Sequence, residues 1–184
     1  MQSYFALSQF DSAIICANKL LSLDKLDEAV RERANYTLAK SLLANQNTGQ
    51  AIEEFKRLTK AKNPEYAAEA QYTLAELNFM AGKIDEAEKI IHQINANPSS
   101  EYYLAKAFIL WADIFKSKGN TLQAKQTLQS IIDNYEGDEE LIETARQKLI
   151  SLTMQQEKTQ QEKQEKRQEQ QEAVDEIIIV DEPR

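Results

Sequence analysis

Glycine and proline are scarce in this sequence, four and three residues among 184. So few turn formers exclude an all-β protein, whose many short strands need frequent turns. Cysteine and histidine occur once each, as Cys16 and His92. A single thiol forms no internal disulfide, and one thiol with one imidazole is too few ligands for a metal site of the usual Cys/His kind. No apolar run approaches the ~20 residues of a membrane span, so no direct membrane insertion is expected. A leader peptide is not evident either, because Met1 leads straight into a helical pattern containing Asp11. Basic residues are the minority, 22 against 30 acidic, for a net charge of −8. That excess repels phosphate backbones and anionic lipid, so no nucleic acid partner is expected.

Chemistry-bearing motifs are missing as well. No G-x-G-x-x-G, Walker loop, H-E-x-x-H or G-x-S-x-G occurs, and neither a cofactor nor an enzymatic activity is expected. Cys16 shares a pattern with Ile14, Ile15 and Ala17 that suits a packed thiol, and His92 lies near the end of an amphipathic helix. The carboxylate groups Glu53/Glu54 and Asp85/Glu86/Glu88 fall in first turns of helices, where they complement the helix dipole.

Ala, Leu, Glu, Lys and Gln dominate instead, and these are the strong helix formers. Three stretches align, beginning at Ala34, Ala70 and Ala107. Each carries an apolar or aromatic cluster, a small residue, a short polar turn, then a second helix with a small residue near its start. Those second-helix alanines are Ala51, Ala87 and Ala124, and Ala13 supplies an upstream copy 38 residues before Ala51. Such periodicity in helix formers signals a helical solenoid. Ala39, Ala75 and Ala112 on first helices, with the second-helix alanines, fall where two backbones pass closest. Leu38, Leu42, Phe55 and Leu58, then Leu74, Ile91 and Ile94, then Trp111, Phe115, Leu128 and Ile131, fill the layers between them at helical spacing.

Turn residues place the boundaries. Asn63 before Pro64 predicts an N-cap with proline in the first turn. Asn47 with Gln50, and Asn120 with Gln123, predict capping boxes. Gly82 and Gly119 predict left-handed helix stops. The predicted helices cover 11–23, 27–45, 48–61, 64–81, 84–96, 99–118, 121–135 and 138 onward. Leu141, Ile142, Ala145, Leu149, Ile150 and Leu152 give the last one the apolar stripe of a capping helix.

These copies resemble the tetratricopeptide-repeat family. Leu38-Ala39, Leu74-Ala75 and Trp111-Ala112 stand at its Leu-Gly pair, and Ala51-x3-Phe55, Ala87-x3-Ile91 and Ala124-x3-Leu128 at its A-x3-F. Tyr4 fits the tyrosine of a first copy whose opening turn lies before Met1, which leaves Phe5 and Leu7 exposed. Alanine replaces the glycine, and the copies run two or three residues longer than the ~34-residue norm, as in what looks like the family's bacterial envelope subset. The resemblance implies an all-α, right-handed α-α solenoid of antiparallel helix pairs over 1–154. It also implies a non-enzymatic scaffold whose concave face grips a protein or peptide. A structural segment of a longer array, in a bacterial envelope or another multiprotein assembly, is the alternative. The compartment stays open between periplasm and cytoplasm, with an envelope association in a bacterium.

Mapped copy by copy, the implied partner-binding residues are Phe5; Arg33, Tyr36, Lys40 and Leu43; Glu69, Tyr72, Glu76, Phe79 and Met80; and Lys106, Ile109, Asp113 and Lys116. The family's carboxylate clamp does not carry over, since Tyr36 and Lys40 occupy the two clamp positions of the second copy. Beyond Met154 the composition changes. Residues 155–172 hold eight Gln, five Glu, four Lys or Arg and nothing apolar, which suits a solvated helix or a disordered linker. Residues 173–184 form a tail in which Ile177–Val180 are β-branched and flanked by Asp175, Glu176, Asp181 and Glu182. Such a run can add as a strand to a partner's sheet edge, or it can be a terminus guarded by its charges.

Overall fold

Alanine sets the spacing of the stack. Ala13, Ala51, Ala87 and Ala124 on second helices, and Ala39, Ala75 and Ala112 on first helices, are all within 1% of complete burial. A methyl group is the largest side chain that lets paired backbones approach this closely. The structure, a computed structural model, describes the backbone of residues 1–180 and the side chains of residues 1–168.

Within those limits the chain is all helical: α1 (Gln2–Ala6), α2 (Phe10–Leu21), α3 (Glu28–Ala44), α4 (Thr48–Leu58), α5 (Pro64–Met80), α6 (Ile84–Ala96), α7 (Glu101–Ser117), α8 (Thr121–Asn134) and α9 (Glu139–Val180). Successive helices pair and stack as a right-handed α-α solenoid. Boundaries match expectation within three residues, except that the short α1 was not foreseen as a helix. Leu7 is open to solvent at 69% exposure, whereas Phe5 leans on Phe10 with ring centroids 5.7 Å apart.

Three apolar layers result. Phe55 and Leu58 lock with Leu38, Leu42 and Leu74. Ile91 and Ile94 join Leu110 and Ile114. Leu128 and Ile131 meet Leu141, Ala145 and Leu152 of α9, which caps the stack.

One turn is built four times. After each first helix a residue adopts positive φ: Ser8 at 57°, Gln46 at 63°, Gly82 at 74° and Gly119 at 78°. Each stands five residues before its second-helix alanine. The amide after it donates back to the helix, from Lys83 to the Asn78 carbonyl at 2.9 Å and from Asn47 to that of Leu42 at 2.8 Å. This is the six-to-one closure expected of a left-handed helix stop. Glycine betrayed only two of the four.

The same turn defeats the predicted capping boxes. Gln9, Asn47, Lys83 and Asn120 share φ between −80° and −89° and ψ between 56° and 70°, and none caps with its side chain. Two extended cap residues do cap with their side chains, whereas Ser100, extended at φ −153° and ψ 125°, does not. Asn63, at ψ 113°, accepts from Glu65 and Tyr66, and Asp27, at ψ 141°, from Ala29 and Val30. At Asn47 and Asn120 the backbone set by the preceding turn, not the side-chain type, keeps the cap from forming.

The last helix departs from the pattern. Ala145 sits at 0% exposure, matching Ala34, Ala70 and Ala107, but five residues on stands Ile150, 43% exposed, where earlier copies have Ala39, Ala75 and Ala112. No turn interrupts α9, which passes through 154/155 and 172/173 as one helix. Every side chain from Met154 to residue 168 is exposed, and Lys125 of α8 holds Gln156 at 2.7 Å. The side chains of Ile177–Val180, and residues 181–184, lie outside the described part.

Candidate functional site

First helices α3, α5 and α7 present the row named from the sequence, and three positions recur along it in register. Arg33, Glu69 and Lys106 are equivalent, as are Tyr36, Tyr72 and Ile109, and Lys40, Glu76 and Asp113. The structure joins most of them to one another.

Glu69 is the hub. Its carboxylate accepts from the Tyr36 hydroxyl at 2.6 Å and from the Lys40 ammonium at 2.7 Å, so α5 is tied to α3. Lys40 also donates to the Tyr36 oxygen at 3.2 Å. Burial alone would raise the Glu69 pKa, but its donors Lys40 and Tyr36, with the Tyr103 hydroxyl also facing it, outweigh that and hold the carboxyl below its usual range. Burial pushes the Tyr36 phenol up to about 12, and its bond to Glu69 pushes the same way. For Lys40, burial pulls the pKa down, yet Glu69 prevails and the ammonium stays more basic than usual. Tyr66, one turn before Glu69, stacks on Tyr36 at 4.3 Å and 14°.

A second cluster links α5 to α7. Lys106 places its ammonium 4.3 Å from the centroid of Tyr72 and 5.7 Å from those of Tyr102 and Tyr103. An ammonium is attracted to the negative face of an aromatic ring over such distances. The Tyr72 hydroxyl donates to Glu76 at 2.6 Å. Burial, reinforced by Glu76, drives the Tyr72 pKa well above the phenol range, and burial with Glu69 does the same for Tyr103. Farther along, Lys148 of α9 binds both oxygens of Asp113 at 2.8 and 2.9 Å.

Two residues expected to line the groove are therefore packing residues. Tyr72 is 8% exposed and Ile109 9%. Lys106 covers the Tyr72 ring, and Ile109 belongs to the layer with Ala105 and Leu128. Tyr36, Lys40, Leu43, Glu69, Glu76, Phe79, Lys106 and Asp113 are half-buried; Arg33, Met80 and Lys116 are exposed, Met80 at 76%. Phe5 lies apart, on α1. Missing from the sequence reading were Tyr66 and Tyr103, which are themselves 37 residues apart in the repeat phase, and Tyr102 and Lys148. Periodicity could have found the first two.

The row also has a charge pattern. Arg33, Lys40, Lys106, Lys116 and Lys148 are five cations against the three anions Glu69, Glu76 and Asp113. All three anions are engaged by donors of the chain itself. Among the described residues, Arg33, Lys106 and Lys116 form no ion pair.

Comparison with known proteins places this architecture. Sequence models described as tetratricopeptide repeat match residues 42–109 and 101–137, which together span 96 of the 184 residues. The chain belongs to the tetratricopeptide-repeat family. Tetratricopeptide repeats are protein-interaction scaffolds and generally not enzymes, and this chain is a helical-repeat scaffold of that kind. Nine solved chains match the fold. One, described as the crystal structure of MamA, shares 21% identity with a TM-score of 0.57, over 86% of this chain and 95% of that one. At that identity the likeness is one of fold. A comparison with curated proteins gives no match. No described helix is long and apolar enough to cross a membrane.

Proposed function

We propose that this tetratricopeptide-repeat chain is a non-enzymatic scaffold that binds a protein or peptide along the row formed by α3, α5 and α7. The observation that carries the reading is the imbalance along that row. Its carboxylates are internally satisfied, while Arg33, Lys106 and Lys116 have no ionic partner among the described residues, and Phe79 and Met80 offer apolar surface at the C-terminal end of α5. Flexible methionine and half-buried aromatics suit an adaptable grip on a helix or extended peptide. Of the residues named from the sequence, Arg33, Leu43, Phe79, Met80, Lys106 and Lys116 are the contact set; Tyr36, Lys40, Glu69, Tyr72, Glu76 and Asp113 hold that surface in shape.

A photo-crosslinking residue placed at position 80, and in a second variant at His92 on the exposed face of α6, tests the reading in cells. Crosslinked partners at 80 and none at 92 are expected. The reverse pattern moves binding to the outer surface.

A second reading, the segment of a longer array, has one observation in its favour. The first pair keeps Tyr4, Leu7, Ile15 and Leu23 exposed at 41–69%, surface that a further helix pair would cover. Strand addition by Ile177–Val180 would require the end of α9 to unwind, and the helical backbone there favours presentation as a helix.

A further inference from the structure

We propose that the occupant of this row is the C-terminal segment 173–184 of a second copy of the chain, an inference that rests on the row being the binding surface. The two surfaces are complementary in charge. The segment carries Asp175, Glu176, Asp181 and Glu182 with Arg184 as its one cation. The row carries Arg33, Lys106 and Lys116, which form no ion pair among the described residues, in a protein whose net charge is −8. Opposite charge across an interface speeds encounter and fixes register.

The apolar residues match as well. Ala173, Val174, Ile177 and Ile178 recur at intervals of one, three and four, the spacing with which a helix anchors in a groove. The backbone is helical through Val180. Phe79 and Met80, at the C-terminal end of α5, are the apolar surface available to receive them. The polar stretch 155–172, with no apolar side chain, offers nothing comparable.

Geometry makes the contact intermolecular. Gln156 is held to Lys125, and from there α9 continues uninterrupted to Val180, a rise of about 36 Å. The helix thus carries the segment away from its own body and toward a neighbour. Tail and row are different surfaces, so the contact either closes reciprocally between two copies or runs head to tail into a ring or an open chain.

Sedimentation velocity of the full chain tests this, from roughly micromolar to millimolar, the range of affinity a small groove contact reaches. The expected result is a mass that climbs from the 21.1 kDa monomer with concentration. It falls back when the ionic strength reaches roughly 0.5 M, where exposed charges are screened within a few ångströms. Lys106→Glu with Lys116→Glu should abolish association, as should Asp175→Lys with Glu176→Lys, each with an unchanged far-ultraviolet spectrum. Mixing these two variants should restore it, because the reversed tail of one meets the reversed row of the other. A monomer at every concentration, association that survives both reversals, or a mixture that stays dissociated overturns the proposal. In any of those cases, partners still crosslinked at position 80 leave the scaffold reading standing with a different ligand, and loss of those crosslinks removes both.

Discussion

The second helices repeat their chemistry and the exposed row of the first helices does not. Ala13, Ala51, Ala87 and Ala124 are identical and buried in all four copies, and Phe55, Ile91 and Leu128 are large, apolar and at most 1% exposed. Along the row the equivalent residues run Arg33, Glu69, Lys106, then Lys40, Glu76, Asp113, then Leu43, Phe79, Lys116. Close helix packing admits few solutions, so it returns the same residue types. A surface that meets a partner, or its own neighbouring repeat, is fitted to one local job in each copy. Repetition therefore marks the scaffold, and its failure marks where the copies have separate work.

The largest effect should come from breaking the repeated part. Phe55→Ala should cost about 3–5 kcal/mol in a urea titration, since it opens a void at the heart of the first layer. Tyr72→Ser should cost about 3 kcal/mol by the same measurement, because that ring is buried under Lys106. If Tyr72→Ser melted like the wild type, the residue would belong to the variable surface after all.

The Glu69 hub sharpens the comparison through pH. Its folded carboxyl titrates below the ordinary value of 4.5, so its contribution is complete above that value and is lost as pH falls through the folded pKa. Glu69→Gln should lower stability by about 1.5–3 kcal/mol at pH 7, the range for hydrogen bonds to a charged group. The gap to wild type should narrow steadily on acidification toward pH 3, as followed by thermal melts across that range. A gap independent of pH would mean that the carboxylate charge is not what ties α3 to α5.

Smaller effects probe the turns. Gln46→Gly should stabilise the chain by about 0.5–1 kcal/mol, as an L side chain is relieved of a left-handed backbone. Gly82→Ala should do the opposite by a similar amount although nothing lies within 4 Å of the added carbon, which isolates backbone strain from crowding. Smallest of all, Met80→Ser should shift the melting midpoint by no more than a ~0.5 kcal/mol change would, as for an exposed site.

Sequence legibility follows the same division. The alanine phase, the layer residues and eight of the helices were readable because packing imposes one residue type at a fixed interval. Ser8 and Gln46 concealed two turns, since a left-handed conformation imposed by the stack leaves no mark on a residue that tolerates it poorly. Tyr72 looked like groove lining because it shares a register with Tyr36. Its burial depends on Lys106 reaching over from the next repeat, a contact between residues 34 apart that single-helix periodicity does not contain. The Tyr103 approach to Glu69 was hidden for the same reason.

Ile150 gives the array a direction. In the second, third and fourth copies the first helix meets its own second helix at an alanine, and in the first copy at Met1; on α9 the equivalent residue is β-branched, with three more carbons than alanine. A helix laid there as α4 lies on α3 would be held off by those atoms, and the layer beneath would open. The α9 face thus offers a further helix less room than an alanine would, while the opposite face leaves Leu7 and Ile15 open. The two ends of the spiral are not interchangeable: one leaves apolar side chains open beside the first pair, and the other carries a β-branched side chain where three of the copies carry alanine.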